Sequence, residues 1–343
     1  MWALENRTPY AAERTWVLDK NAAKSWVVVV KGTFNILVDG TTELAEKQED
    51  PLFCPKYLGE PGASSILHEA DLIAPKRATD VVLIGQAYAP EGKPVRQLTV
   101  EMKVGPIKKT LLVCGDRVWE KRFLRGLGKS RPEPFTSMPI TYERAYGGTD
   151  TRHDNPAKHG HESRNPIGRG FVTHKEHLAG QSLPNIEDPK QPFTSWKNRP
   201  HPSGLGPIAS YWSPRREYAG TYDAKWQKER FPLLPKDFNE KFFQCAPEDQ
   251  QVSGYLRGGE EVELTNLTPT GKWAFRLPKI RPTFTTYFGK EAVEHRGNLH
   301  TVTLDPEKRL VVMVWHTSLP CHHKADRLDV TRIREKQYVS IGK

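Results

Sequence analysis

The sequence predicts a mainly β protein made of antiparallel sheets in a sandwich or barrel-like arrangement, with a long ordered irregular insertion and few short helices. Apolar and polar residues alternate with a period of two near both ends of the chain, as expected for strands with one buried face. The alternating segments are rich in β-branched and aromatic residues, which favour extended backbone. The 28 prolines and 26 glycines interrupt nearly every candidate helix, so long helices should be scarce.

Strands are expected at several positions separated by turn sequences. In chain order they are residues 14–18, 25–34, 98–104, 111–114, 117–119, 261–264, 273–277, 300–304 and 310–314. The polar turn 19–21 joins the first two strands into a hairpin, and Gly105-Pro106 turns the chain after the third. The turns at 268–271 and 305–308 join the last four strands in pairs.

The pattern predicts a single module, residues 1–343, with three regions. Residues 1–125 form an N-terminal β region, 126–258 an irregular region rich in Gly, Pro and aromatic residues, and 259–343 a C-terminal β region. The irregular region offers only short helical candidates such as 222–230. Its many aromatic residues favour order, because exposing them all would leave much apolar surface in water.

Composition narrows the classes of protein. No apolar stretch approaches the roughly 18 residues of a membrane span, so we expect no membrane insertion. Charged residues interrupt the N-terminal stretch where a secretory signal would be apolar, which favours the cytoplasm. The four cysteines lie far apart without CxxC pairing, as buried reduced thiols do. A net charge of +10 favours anionic partners, although the cations form no tail-like block.

A histidine-rich segment raises the alternative of a metal-dependent hydrolase. Five of the twelve histidines lie close together, at His153, His159, His161, His174 and His177. Their spacing matches neither HExxH nor a paired-ligand pattern, so a solvated polar loop is favoured over a metal site. Cys321-His322-His323 has the residue types of a ligand set, but no second cluster lies beside it.

Other chemistry receives little support from motifs. The chain has no GxSxG nucleophile motif and no glycine-rich phosphate loop, which argues against an enzyme, and no cofactor is implied. The basic run 121–131 could contact a phosphate backbone, but no recognised nucleic-acid module surrounds it, so nucleic-acid binding is not expected.

Two motifs predict a shaped loop surface. Tyr142-Glu-Arg-Ala-Tyr-Gly-Gly148 and Asn165-Pro-Ile-Gly-Arg-Gly170 combine fixed charges and aromatics with glycines, which adopt backbone torsions closed to other residues. Further along, Trp226, Arg230-Phe-Pro232 and Ala246-Pro-Glu-Asp-Gln250 add to the pattern.

Taken together and in this order, with Gly206-Pro-Ile208 and 235–238, these motifs resemble the bacterial family called domain of unknown function 2169. The resemblance extends from about Thr15 to about Leu319. It implies an adaptor or chaperone of the type VI secretion system in the cytoplasm of a Gram-negative bacterium. Its partner would be an effector with a PAAR-like domain, which it helps to load onto the spike protein. Some family members carry extra C-terminal domains, whereas this sequence stops about twenty residues after Cys321. We therefore expect it to be the minimal, single-module form.

The resemblance carries over no catalytic residues, and it leaves the role of the motif residues open between binding the cargo and holding the irregular region together. Aromatic residues and arginine are the types enriched at interface hot spots. The candidate interface residues are Tyr142, Glu143, Arg144, Tyr146, Gly147, Gly148, Asn165, Pro166, Gly168, Gly170, Trp226, Arg230, Phe231, Pro232, Asp249 and Gln250.

Overall fold

The computed structural model describes residues 2–122 and 126–336, without the side chains of Arg122, His322 and His323. The predicted fold class is confirmed, since strands make up 40% and helices 10%, with only two short α-helices among the described residues. Several antiparallel sheets form, and none of those described closes into a barrel. In the same residues no helix has the length and apolar character needed to cross a membrane.

Strands β1 to β12 lie in the N-terminal part of the chain. They are β1 (Ala3–Asn6), β2 (Ala11–Leu18), β3 (Lys24–Ile36), β4 (Thr42–Leu44), β5 (Lys56–Tyr57), β6 (Ile66–His68), β7 (Asp80–Leu83), β8 (Gln86–Tyr88), β9 (Gln97–Val104), β10 (Ile107–Cys114), β11 (Trp119–Arg122) and β12 (Gly126–Lys129).

The middle of the chain contains only short elements. Its strands are β13 (Ser137–Pro139), β14 (Tyr146–Gly147), β15 (Thr149–Asp150), β16 (Gly160–His161), β17 (Arg169–Gly170) and β18 (Ile186–Glu187). Its α-helices are α1 (Arg215–Tyr218) and α2 (Ala224–Glu229). Its 3-10 helices are Tyr142–Arg144, Pro156–Lys158, Lys175–His177, Glu240–Phe243 and Glu248–Gln250. Two more 3-10 helices, Pro90–Gly92 and His322–Arg327, lie in the N-terminal and C-terminal parts.

The C-terminal part returns to long strands. These are β19 (Glu261–Thr265), β20 (Lys272–Arg276), β21 (Pro282–Phe288), β22 (Glu291–Arg296), β23 (Asn298–Asp305), β24 (Leu310–Pro320) and β25 (Leu328–Glu335).

Three larger sheets organise the fold. The six-stranded sheet has the order β2-β3-β24-β23-β7, with β4 also paired to β3. The five-stranded sheet has the order β18-β10-β9-β19-β20, and the four-stranded sheet has the order β1-β25-β21-β22. The N-terminal and C-terminal β regions therefore contribute strands to all three sheets. Whether the chain forms one module remains a prediction.

The predicted hairpins are present as antiparallel pairs. β2 pairs with β3, β9 with β10, β19 with β20, and β23 with β24. The turn between β9 and β10 contains Gly105 at φ 52°, a left-handed torsion that glycine adopts at little cost.

Strand β3 is buried on both faces, which explains its unbroken apolar run. Trp26, Val28 and Val30 point into the main core, while Val27 and Val29 pack with Val314 on the opposite face. A strand covered on both faces reads as a continuous hydrophobic segment and not as an alternation. The main core continues from β3 into the other two large sheets, through residues such as Met102 and Leu111 of the five-stranded sheet and Phe284 and Leu328 of the four-stranded sheet.

Three histidines lie in strands of these sheets, with His300 and His316 buried and His295 half-buried. Burial lowers the pKa of His295 to about 4, and its ring lies between the hydroxyls of Thr286 (2.7 Å) and Thr317 (2.5 Å). Burial, helped by Lys76, lowers the pKa of His316 to about 3. The pKa of His300, whose ring centroid lies 4.0 Å from that of His316, is also well below the ordinary value because of burial.

We therefore expect the fold to lose stability as the pH falls below about 6.5. Below about pH 6.5 these histidines bind a proton in the unfolded chain but stay neutral in the folded protein, where their pKa values are lower. The free energy of unfolding is therefore unaffected above this pH and falls below it. Each such histidine should cost about 1.4 kcal/mol per pH unit in that range, or roughly 2 kcal/mol at pH 5. Urea unfolding at pH 7.5 and pH 5 measures the effect, and His295→Gln should reduce the difference.

The exposed His161 supplies the control for this measurement. His161→Gln should leave the pH difference as it is in the natural sequence. A urea midpoint that does not change between the two pH values would contradict the expectation.

Candidate functional site

The two glycine-rich motifs fold against each other into one unit, here called the glycine knot, residues 142–148 with 165–170. Tyr146–Gly147 pairs in parallel with Arg169–Gly170. The side-chain amide of Asn165, which is fully buried, donates to the carbonyl oxygens of Tyr142 (2.7 Å) and Tyr146 (3.0 Å). One asparagine thus satisfies backbone groups that no long strand pairs.

The glycines of the knot are required by close backbone contact. Gly147 has φ 150° and Gly148 has φ 112°. A Cβ atom on Gly147 would lie 2.1 Å from the carbonyl oxygen of Asn165, and one on Gly168 would lie 2.4 Å from the Asn165 amide nitrogen. The predicted special torsions are confirmed at Gly147, Gly148 and Gly170.

Polar side chains fasten the knot to its surroundings. Ser65 donates to the carboxylate of Glu143 from its backbone N–H (2.8 Å) and its hydroxyl (2.9 Å). Arg169 donates to the carbonyl of Glu143 (3.0 Å) and to the side-chain oxygen of Asn185 (3.1 Å), which also accepts from Arg144 (3.3 Å). These charged residues therefore make many of their hydrogen bonds to groups within the protein.

The rings of the knot are buried as well. Tyr142 packs edge-on against Trp212 with ring centroids 5.6 Å apart, and burial raises its pKa above the ordinary value. Tyr146 packs on Phe193 at 5.3 Å. A partner protein could touch little of either ring without rearrangement of this region.

The second part of the candidate site is an exposed aromatic cluster on residues 219–238. The ring of Trp226 meets that of Tyr222 at 4.7 Å and that of Phe231 at 5.8 Å, both edge to face. Tyr222 is 52% exposed and Phe231 is 68% exposed. We call Tyr222, Trp226 and Phe231 the aromatic cluster.

The backbone beneath the aromatic cluster is held in place. Asp223 caps helix α2 by accepting from the N–H of Trp226 (2.8 Å), and the indole N–H of Trp226 donates to the carbonyl of Leu233 (2.9 Å). Arg230 donates to the carbonyls of Leu234 (2.9 Å) and Lys20, which ties this segment to the β2–β3 turn. The exposed rings therefore stand on an ordered support.

A groove of about 900 Å³ forms the third part. One wall is the stretch of β10 from Lys108 to Leu111. The others come from Tyr142, Arg164 and Ile208 and from residues within 188–191, 201–203, 213–218 and 241–251. The volume lies within the range of about 300–1,000 Å³ that is usual for binding sites.

Several of the charged side chains in the groove form ion pairs. The side chain of Lys109 is buried and its Nζ lies 2.7 Å from a carboxylate oxygen of Asp249. Arg164 forms an ion pair of 2.7 Å with Glu162, and Arg215 pairs with Glu69. These ion pairs partly neutralise the charge that the groove presents.

The candidate interface residues fall into three groups by exposure. The buried ones are Tyr142, Tyr146, Gly147, Gly148, Asn165, Gly170 and Gln250. The half-buried ones are Glu143, Arg144, Pro166, Gly168, Trp226 and Arg230. The exposed ones are Phe231, Pro232 and Asp249. Gln250 donates its amide to the carbonyls of Val81 (2.8 Å) and Leu205 (2.9 Å), and Pro166 accepts from the hydroxyl of Thr149 (3.0 Å).

The histidine-rich segment does not form a ready ligand set. The rings of His153, His174 and His177 lie in a row, with centroids 4.9 Å and 5.6 Å apart. Their Nδ1 atoms bond within the protein, that of His177 to Asp150 at 2.8 Å and that of His153 to a backbone N–H at 2.9 Å. Over residues 2–122 and 126–336 no group of three His, Cys, Asp or Glu side chains is arranged to hold a metal ion.

The remaining candidates lie partly outside the structure. Residues 123–125 of the basic run 121–131, and the side chains of His322 and His323, are outside the described residues. Of the four cysteines, Cys114, Cys245 and Cys321 are buried and Cys54 is exposed. All four are free thiols, as expected from their spacing, but the expected burial is wrong for Cys54.

Sequence reasoning missed the groove and the part of β10 that lines it. The predicted strand begins at residue 111, whereas β10 begins at Ile107 directly after the turn. The alternation of buried and more exposed residues does extend through Lys108, Lys109 and Thr110, but a buried lysine in place of an apolar residue hides it.

Comparison with known proteins identifies one family. A family model described as "Uncharacterized protein conserved in bacteria (DUF2169)" matches residues 21–316, which is most of the chain. No curated protein and no solved structure matches the chain.

Proposed function

Because this chain belongs to the DUF2169 family of bacterial proteins, we propose that it acts as an adaptor of the type VI secretion system. In this proposal it is a binding protein and not an enzyme. It holds an effector that carries a PAAR-like domain, keeps that effector folded in the cytoplasm, and assists its loading onto the spike protein. The motifs that run through the middle of the chain suggest this role.

The observation that carries the proposal is the aromatic cluster. Phe231 is 68% exposed and Tyr222 is 52% exposed, although a folded protein gains by burying such residues. Trp and Tyr on a rigid support lose little conformational entropy on binding, which is why these types dominate interface hot spots. A preformed protein-binding surface accounts for the cluster.

The first experiment is co-expression with the product of a neighbouring gene that encodes a PAAR-like domain. We expect the partner to be soluble only when this protein is present, and the two to elute together from a sizing column. A partner that is equally soluble alone, with this protein eluting separately, would refute the adaptor role.

The double variant Tyr222→Ala with Phe231→Ala should bind the partner at least tenfold more weakly, because two hot-spot residues each contribute about 1–2 kcal/mol or more to an interface. Its melting temperature should change little, since both side chains are largely exposed. Calorimetric titration measures the affinity. Phe53→Ala removes a ring that is 69% exposed elsewhere and should bind normally. Equal weakening by both variants would show that the cluster has no special role.

A further inference from the structure

The groove contains a strand edge that is open. Strand β18 pairs with β10 only at Leu112 and Val113. From Ile107 to Leu111, no strand in residues 2–122 and 126–336 pairs with β10 on the side away from β9.

The direction of the free backbone groups follows from the register. The N–H of Gly115 donates to Arg96, in line with the β9 pairing, whereas the N–H of Cys114 donates to Asn185 on the β18 side. Since N–H and C=O of successive residues alternate between the two sides of a strand, Lys108 and Thr110 direct theirs away from β9. Both residues are among those that line the groove.

The side chains at this edge do not block the pairing of another strand. Lysine on an edge strand usually prevents another strand from pairing there. Here the ammonium of Lys108 lies 3.1 Å from Glu101 on the neighbouring strand β9, and the hydroxyl of Thr110 donates to the same carboxylate at 3.1 Å. Both side chains thus reach back over their own sheet and leave the backbone edge accessible.

The opposite walls of the groove suit the side chains of an extended segment. Ile208, Pro214, Tyr218 and Pro247 supply apolar surface that is at least partly exposed. A segment paired with β10 would point alternate side chains into the groove and the others outward. Five residues in extended form span about 16 Å, so the open stretch of β10 accommodates about that number.

We propose that the groove binds an extended segment of the cargo, with apolar residues at alternate positions, as an added strand on the open edge of β10. Main-chain hydrogen bonds to Lys108 and Thr110 supply affinity, and the apolar walls select the side chains. The inference rests on the adaptor role proposed above and assigns a second contact, separate from the aromatic cluster.

Thr110→Pro tests the proposal at one backbone group. Proline removes the N–H that faces the groove and places its ring there, while the bonds from β10 to β9, made by odd-numbered residues, remain. We expect at least a tenfold loss of affinity for the PAAR-like partner used above, with little change in melting temperature. Thr110→Val keeps the N–H, replaces the hydroxyl with a methyl group, and should bind within about twofold of the natural protein.

Amide hydrogen exchange provides a second measurement on the unaltered protein. Partner binding should slow exchange at Lys108 and Thr110 and not at the exposed edge residues of β22. If Thr110→Pro fails to fold, this measurement decides.

The outcomes separate the two proposals. Normal partner affinity in a folded Thr110→Pro variant, or unchanged exchange at both amides in the complex, overturns the groove proposal and leaves the adaptor role standing. If the natural protein does not bind the partner at all, both proposals fall.

Discussion

Asp80→Asn should destabilise the protein by about 3–5 kcal/mol, because it leaves a lysine buried without its counter-charge. The ammonium of Lys76 lies 2.7 Å from the carboxylate of Asp80, and neither side chain is more than 3% exposed. Burial by itself would lower the pKa of Lys76, but the neighbouring carboxylate outweighs it and raises that pKa. Removing the negative charge takes away this compensation.

The same carboxylate also joins the middle region to the six-stranded sheet. Asp80, in β7, accepts from the amide of Gln244 (2.8 Å) and the backbone N–H of Cys245 (2.8 Å). Urea unfolding followed by tryptophan fluorescence would measure the loss.

An exposed ion pair nearby gives the matched control. Arg77 and Glu240 also lie 2.7 Å apart, but both are more than half exposed. Glu240→Gln should change the urea midpoint little, because solvent screens such pairs. The double variant Lys76→Met with Asp80→Asn should recover part of the loss, since no unpaired charge remains. A single variant as stable as the natural protein would show that Lys76 is not desolvated as the structure indicates.

Gly147→Ala should destabilise the protein by more than about 3 kcal/mol or prevent its folding. The added Cβ would lie 2.1 Å from the carbonyl oxygen of Asn165, which is backbone and cannot turn aside. The torsion φ 150° adds strain for any residue with a side chain. Soluble yield and thermal unfolding measure the effect.

Gly206 provides the control for this substitution. It also belongs to a motif of the irregular region, but a Cβ there would meet no atom within 4 Å. Gly206→Ala should therefore stay within about 0.5 kcal/mol of the natural protein. Equal behaviour of the two alanine variants would contradict the packing of the glycine knot.

Local features of the fold could be predicted from the sequence because they depend on neighbouring residues. The β2–β3 and β23–β24 hairpins follow from alternation and a turn. The pairing of β3 with β24, and of β9 with β19, joins strands from opposite parts of the chain, and no local pattern specifies it. The order of the strands in the sheets therefore could not be predicted from the sequence.

The four-stranded sheet shows a different limit. Residues 282–288 alternate between buried and partly buried positions, but one buried position is occupied by Thr286. Its hydroxyl is satisfied inside the protein by His295 and Thr331, both at 2.7 Å. A buried threonine with distant partners breaks the apolar pattern on which strand prediction relies.

The candidate site was predictable in part for the same reason. Paired glycines indicated unusual torsions in the knot, and exposed aromatics near Trp226 and Phe231 could be recognised as interface residue types. The buried position of Tyr146 and the bonds of Asn165 depend on how two motifs meet across the fold. Whether any residue of the knot also contacts cargo stays a prediction.

The pairing of β3 with β24 has a consequence for synthesis on the ribosome. Trp26 lies opposite Leu319, so the six-stranded sheet cannot be completed until the chain has emerged as far as β24. At about 5–20 residues per second this leaves an interval on the order of 15–60 s. During it the valines of β3 have only β2 as a partner strand, and both faces of this pairing are uncovered, a form that is marginal in water and prone to aggregate. A protein proposed to stabilise another protein thus passes through an exposed stage of its own.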